Sequence, residues 1–150
     1  LYAGLARGGE ATPLAYRRDI PPDEKGFARL VEPVPAWYVA DALLGAPPPA
    51  NAVAGRVAYK TGTSYGYRDA WSVGFDRRHT IGVWVGRADN GAVPGLVGRL
   101  VAAPILFDAF ARIGLEAGVG PRPGDAIVVS STHELPLPLR HMRRDLPKTA

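Results

Sequence analysis

The residues of this chain with most to offer chemically stand in one short run, Tyr59-Lys60-Thr61-Gly62-Thr63-Ser64. Lys60 brings a fixed cation, and Thr61 and Thr63 bring hydroxyls able to bind a carboxylate. Gly62 has no side chain, so an extended substrate can approach the backbone there and hydrogen-bond to it. The amide of Thr63 can then point at a developing oxyanion, where one well-placed donor is worth roughly 3 kcal/mol. A cation, hydroxyls, a bare backbone and an amide donor suit acyl transfer from a peptide that carries a carboxylate. The same letters also suit a basic strand-to-turn junction with no ligand. A phosphate-binding loop is excluded, because it needs glycine immediately before the lysine and Tyr59 stands there.

Three strand-like stretches must position this run. Arg56 to Thr61 is the first. Ala70 to Phe75 is the second, with Trp71, Val73 and Phe75 on one face and small Ala70, Ser72 and Gly74 on the other. Thr80 to Val85 is the third, with Ile81, Val83 and Val85 together. The link Asp76-Arg77-Arg78-His79 is short enough for a hairpin, so the second and third strands are expected to be antiparallel neighbours. Small residues on a strand face let a helix pack closely, and the apolar run from Leu96 to Ile113, ended by Gly114, supplies one. Pro104 inside it predicts a kink or break, since proline in a helix interior costs about 3 kcal/mol. Trp71 is assigned to the core by its alternation with Val73 and Phe75, and Trp37, Tyr38 and Trp84 to packing. Arg68 and Asp69 fit a cleft lining or a local ion pair or turn equally well.

Upstream, Leu1 to Ala6 reads as the last turns of a helix stopped by Gly8-Gly9. Residues 11–25 read as loop and edge strand, interrupted by Pro21-Pro22. A second helix is expected from Pro35 to Leu44, closed by Gly45 and followed by the stiff connector Pro47-Pro48-Pro49. After Gly114 the pattern weakens: Pro121, Pro123 and Pro136 punctuate it, and only Ala126 to Val129 resembles a strand. The predicted fold class is α/β of the α+β kind, an antiparallel sheet with packing helices.

Composition narrows the partners. Of 150 residues 47% are apolar and 21% charged, enough for a core, while 18 glycines and 15 prolines make the chain loop-rich without making it a low-complexity polymer. A net charge of +4 permits an acidic partner. The basic residues are scattered, however, apart from Arg140, Arg143, Arg144 and Lys148, and no recognised module accompanies them, so nucleic acid is not an expected partner. The absence of cysteine excludes disulfides, thiol catalysis and cysteine metal sites. His79, His133 and His141 lack metal-ligand spacing and read as solvated or turn residues; no metal or organic cofactor is expected. No apolar run reaches the roughly 20 residues of a membrane span. The start at Leu1, with neither methionine nor signal segment, suggests an amino-terminally incomplete piece.

Context adds to the Lys60 run. Lys-Thr-Gly continues into Thr63-Ser64 and is followed by Tyr65-Gly66-Tyr67-Arg68-Asp69-Ala70-Trp71, then Gly74-Phe75, Gly82-Val83-Trp84-Val85-Gly86, Pro94-Gly95-Leu96-Val97-Gly98 and Ala102-Ala103-Pro104-Ile105. This series resembles the end of the transpeptidase domain of class A penicillin-binding proteins, over roughly residues 1–114. Residues 115–150 are then expected to be a Pro/Gly-rich linker or the start of a further module. The resemblance implies part of a serine beta-lactamase/transpeptidase-like fold, with Lys60 and Thr63 as catalytic residues and Thr61, Gly62, Thr63 and Ser64 binding substrate. It implies cross-linking of D-alanyl-D-alanine stem peptides of peptidoglycan through an acyl-serine intermediate that beta-lactams mimic. The parent would lie in a bacterial periplasm, anchored in the cytoplasmic membrane, with a glycosyltransferase domain and other cell-wall synthesis proteins as partners.

One departure from the family pattern is plain. The family nucleophile is a serine with lysine three residues on, and Ser64, Ser72, Ser130 and Ser131 are followed at that distance by Tyr67, Phe75, His133 and Glu134. No serine precedes an asparagine by two. Truncation of the upstream motifs is the expected explanation, leaving the missing part of the same polypeptide as a required partner. Two alternatives are a non-catalytic module that binds wall peptides or beta-lactams, and a carboxypeptidase or beta-lactamase relative.

Overall fold

The computed structural model describes residues 1–13, 17, 19, 26, 28–124, 131–134 and 137. Its order is α1 (Tyr2–Ala6), β1 (Glu10–Ala11), β2 (Ala28–Arg29), α2 (Pro33–Leu44), β3 (Ala58–Thr63), β4 (Asp69–Phe75), β5 (Thr80–Gly86), a π-helical turn (Gly98–Ala102) and α3 (Ala103–Ile113). A short 3-10 turn follows at Thr132–Glu134. The main sheet is antiparallel in the order β3-β4-β5, and β1 and β2 pair separately. The α+β class expected from the sequence is the one found. The strand-like stretch Ala126 to Val129 lies outside the described residues.

Several element ends follow from single residues. Gly8 and Gly9 take positive φ of 69° and 100°, and the Gly9 amide reaches back to Gly4, which stops α1 where the glycine pair predicts. Helix α2 starts two residues before the expected Pro35, with Pro33 in its first turn, where a missing N–H costs nothing. The hairpin from β4 to β5 closes through the Asp76 amide and the His79 carbonyl.

Pro104 does not kink a helix interior. The run from Leu96 is divided into two kinds of helix, and Pro104 falls in the first turn of α3. Before it, the Ala103 N–H reaches back to the Gly98 carbonyl, the wide spacing of a π turn. The sequence places Pro104 at the changeover, where its lack of a donor does least damage.

The sheet separates two packing layers. On one face Tyr59, Ala70, Ser72 and Gly74 meet the π turn and α3. Tyr59, Leu106, Phe107 and Phe110 form the largest buried cluster, each contributing about 1.5–3 kcal/mol by burial. Gly74 makes this approach possible, since a Cβ there would lie 3.1 Å from Leu106 Cδ2 and 3.0 Å from Tyr59 Cβ. On the opposite face Ala40 of α2, Ala58 and Phe75 pack together, flanked by Tyr2 and Leu5 of α1. After α3 the chain stays against the sheet: Leu115 joins the first cluster, Val119 joins the second, and the Gly118 amide bonds to the Arg56 carbonyl at 3.0 Å.

Asp76 ties these parts together. Its buried carboxylate accepts from the amides of Arg78 (2.8 Å), His79 (2.6 Å) and Glu116 (2.9 Å), with His79 Nδ1 at 3.4 Å. Burial pushes the carboxyl up, but the amide donors and His79 outweigh it and hold it below the usual range. A carboxylate lowered in the fold stabilises it above the unfolded value, about 3.9, and that stabilisation is lost as pH falls through the lower folded value. Asp76→Asn is therefore expected to cost about 1–3 kcal/mol at neutral pH. It should also weaken the loss of stability below about pH 4, in urea unfolding followed by circular dichroism across pH. Equal acid sensitivity in both proteins would dissociate Asp76 from that behaviour.

Gly98 brings the π turn close against the sheet. A Cβ on it would stand 2.3 Å from the Gly62 carbonyl oxygen and 2.6 Å from that of Trp71, both fixed in the β3–β4 ladder. Gly98→Ala should lower stability by about 1–3 kcal/mol, measured by the same unfolding assay. A variant as stable as the parent would show that the π turn can lift without penalty.

Candidate functional site

Strand β3 carries the whole Lys60-Thr61-Gly62-Thr63 run and stands at the edge of its sheet. Its parity is set at the turn that follows. The Ser64 amide donates to the Asp69 carbonyl at 2.9 Å. In an antiparallel ladder, alternate residues hydrogen-bond to the neighbouring strand. The pairs Gly62 with Trp71 and Lys60 with Val73 therefore bond across, as Ser64 does with Asp69. The amides and carbonyls of Tyr59, Thr61 and Thr63 point the other way, out of the open edge.

Side-chain alternation divides the run again. Lys60 and Gly62 lie on the same face as Trp71, their cross-strand neighbour, while Thr61 and Thr63 share the face of Tyr59, toward the π turn and α3. Lys60, Gly62 and Thr63 are exposed; Thr61 and Ser64 are half-buried. The Lys60 ammonium donates to the Thr61 carbonyl at 2.6 Å and forms no ion pair among the described residues. Thr63 Oγ1 accepts from the Gly98 amide at 3.0 Å. Ser64 Oγ accepts from the Asp69 amide at 2.7 Å, so this hydroxyl braces the turn. Deeper along β3, burial raises the Tyr59 phenol, offset in part by the positive charge of Arg99.

The expectation that Trp71 is core does not hold. It is 47% exposed, and its neighbour Trp84, expected to pack, is 46% exposed. Alternation does place Trp71 with Phe75, but α1 and α2 cover this face only at the Phe75 end, where Phe75 is buried. The two indoles lie side by side with ring centroids 6.4 Å apart. Trp84 Nε1 donates to Asp69 Oδ1 at 2.8 Å. The Asp69 carboxylate thus ties β4 to β5, while its amide is held by Ser64 Oγ. Trp37 and Tyr38 meet edge to face at 5.5 Å, with Tyr38 partly exposed.

The structure thus gathers all five predicted site residues on one strand end, with the two hydroxyls and the cation on opposite faces. The sequence reading missed Gly98, whose only local signal is a glycine opening an apolar helical run. It also missed the Asp69–Trp84 bond, which joins residues in two strands. Among the described residues no cluster of three or more histidine and carboxylate side chains is placed to hold a metal, and no helix is long and apolar enough to cross a membrane.

No family model matches the chain. Among curated proteins it is similar to penicillin-binding protein 1C of Escherichia coli (strain K12), with 39% identity over 109 residues. The match covers 70% of this chain, and the chain spans 14% of that protein's length. The Lys60 strand, the β4–β5 hairpin and the closing helix already resemble that group in sequence and fold into one sheet with its packing helix. By this relationship the chain is a homologue of part of a penicillin-binding protein.

Proposed function

We propose that this chain forms the substrate-strand wall of a serine peptidoglycan DD-transpeptidase site. The open edge of β3 carries the reading: Thr63 directs its amide out of the sheet, Gly62 leaves the adjacent backbone bare, and Lys60 is an exposed cation beside them. An extended stem peptide ending in D-alanyl-D-alanine would add to this edge as a further strand, through backbone hydrogen bonds. Its scissile carbonyl oxygen would gain the Thr63 amide as charge develops, worth roughly 3 kcal/mol in the transition state. Lys60 would support proton movement and the electrostatics of the site. The hydroxyl of Thr63, with Thr61 and Ser64 nearby, would bind the terminal carboxylate.

The reading requires a nucleophilic serine contributed by residues outside these 150. Its oxygen would attack the penultimate D-alanine carbonyl and expel the terminal D-alanine. An amine of a neighbouring stem peptide would then take the acyl group from the serine, giving the cross-link. Beta-lactams would acylate the same serine and remain on it. The parent would be bifunctional, with a glycosyltransferase domain, held in the cytoplasmic membrane and facing the periplasm. Residues 1–114 would belong to the transpeptidase domain and 115–150 would lead toward a further module.

The 150-residue chain alone is expected to form no covalent adduct with labelled penicillin, read by gel fluorescence or intact mass. A stable adduct on it would sink the requirement for an outside nucleophile. In the full-length polypeptide, Lys60→Ala should lower the second-order acylation rate by about 10²-fold or more, with an unchanged circular dichroism spectrum. Near-parental acylation would remove Lys60 from the mechanism. Reversible binding of penicillin by the full-length polypeptide, without acylation, would favour a non-catalytic binding module.

A further inference from the structure

We infer that Gly98 is a positioning residue: its amide holds the Thr63 hydroxyl so that the O–H is directed to a carboxylate at the β3 edge. This rests on the acyl-transfer reading of that edge. The two residues are 35 positions apart in sequence, and the Gly98 amide meets Thr63 Oγ1 at 3.0 Å. A threonine hydroxyl has a single hydrogen to donate and lone pairs to accept with. With one lone pair taken by the Gly98 N–H, the range of O–H directions is narrowed and the hydroxyl hydrogen remains to be donated to a ligand. A hydroxyl polarised in this way is also a somewhat stronger donor.

A side chain at this position would force the backbone around it to shift. The Gly98 backbone sits over the Gly62–Trp71 pair, so close that a Cβ would lie 2.3 Å and 2.6 Å from their carbonyl oxygens. Val97 before it is extended, and the π turn begins at Gly98 itself. The close approach therefore does two things at once. It presses the π turn onto the bare part of β3, and it delivers one backbone donor to the hydroxyl beside it. Thr63 is exposed as a residue despite this contact, and the bond itself is only partly buried. The ligand chemistry selected is an anion, specifically a carboxylate next to the acylating carbonyl, in preference to a neutral ester.

The test uses the full-length polypeptide and two probes, a beta-lactam with a free carboxylate and its methyl ester. Second-order acylation rates are compared for the parent, Thr63→Ser and Thr63→Val, together with hydrogen exchange at the Gly98 amide. The parent should prefer the acid. Thr63→Ser should restore that preference and the slow exchange, because it keeps the hydroxyl. Thr63→Val should lose about tenfold or more of the acid preference, and Gly98 should exchange about tenfold faster. Two results overturn the inference while sparing the acyl-transfer reading: acid preference retained in Thr63→Val, or lost there with Gly98 exchange unchanged. A parent that neither probe acylates overturns both.

Discussion

An antiparallel ladder lets each residue hydrogen-bond to one side only, and in β3 this parity determines what the strand can do. The bond from the Ser64 amide to the Asp69 carbonyl sets it. With that register, Gly62 and Lys60 spend their amides on β4, while Thr61 and Thr63 keep theirs for the edge. A slip of one residue would exchange the two sets, turning Lys60 toward the helix layer and Gly62 away from the open face. The turn at Ser64–Arg68 guards against the slip: Ser64 Oγ binds the Asp69 amide and Asp69 Oδ1 holds the Trp84 indole on β5. Three strands are thereby tied at the end that carries the site.

An unpaired edge is ordinarily a liability, because its free amides invite pairing with other chains. Natural sheets blunt such edges with charge, and Lys60 does so here whatever else it does. The edge is nevertheless not disabled: no bulge interrupts the β3–β4 register and no proline lies in the strand. A Cβ at Gly62 would stand 3.6 Å from Trp71 Cβ, so the glycine keeps the face it shares with Lys60 uncrowded.

Local signals in the sequence sufficed for the elements that are themselves local. The glycine pair Gly8-Gly9, the four-residue hairpin link and the period-two strands each act through neighbours in the chain, and each lies within two residues of where the pattern puts it. What alternation cannot supply is coverage. It correctly grouped Trp71 with Phe75, yet burial depends on how far α1 and α2 extend over that face, which no residue near Trp71 encodes. Pro104 misled for a related reason. A single uninterrupted apolar run hid the change from π to α winding that puts the proline in a first turn. The candidate site residues were legible because they lie side by side on one strand. Gly98 was not, because its role is a contact across 35 residues of sequence.

The same reasoning explains why features far from Lys60 bear on the edge. The π turn can reach Gly62 only if α3 is seated on the sheet, and α3 is seated through Leu106, Phe107 and Phe110 against Tyr59 and Gly74. Gly74 accepts Leu106 because it has no Cβ, just as Gly98, lacking one, fits over the Gly62 and Trp71 carbonyls. At the other end of the hairpin, Asp76 draws the chain after α3 back to the β4–β5 turn through the Glu116 amide. The helix is thus clamped at both ends, by Gly98 on β3 and by Asp76 beyond Ile113. Close backbone approach at one end and a buried carboxylate at the other hold a single rigid layer. That layer sets the Gly98 amide against the Thr63 hydroxyl, next to a Thr63 amide that the strand parity directs to the edge.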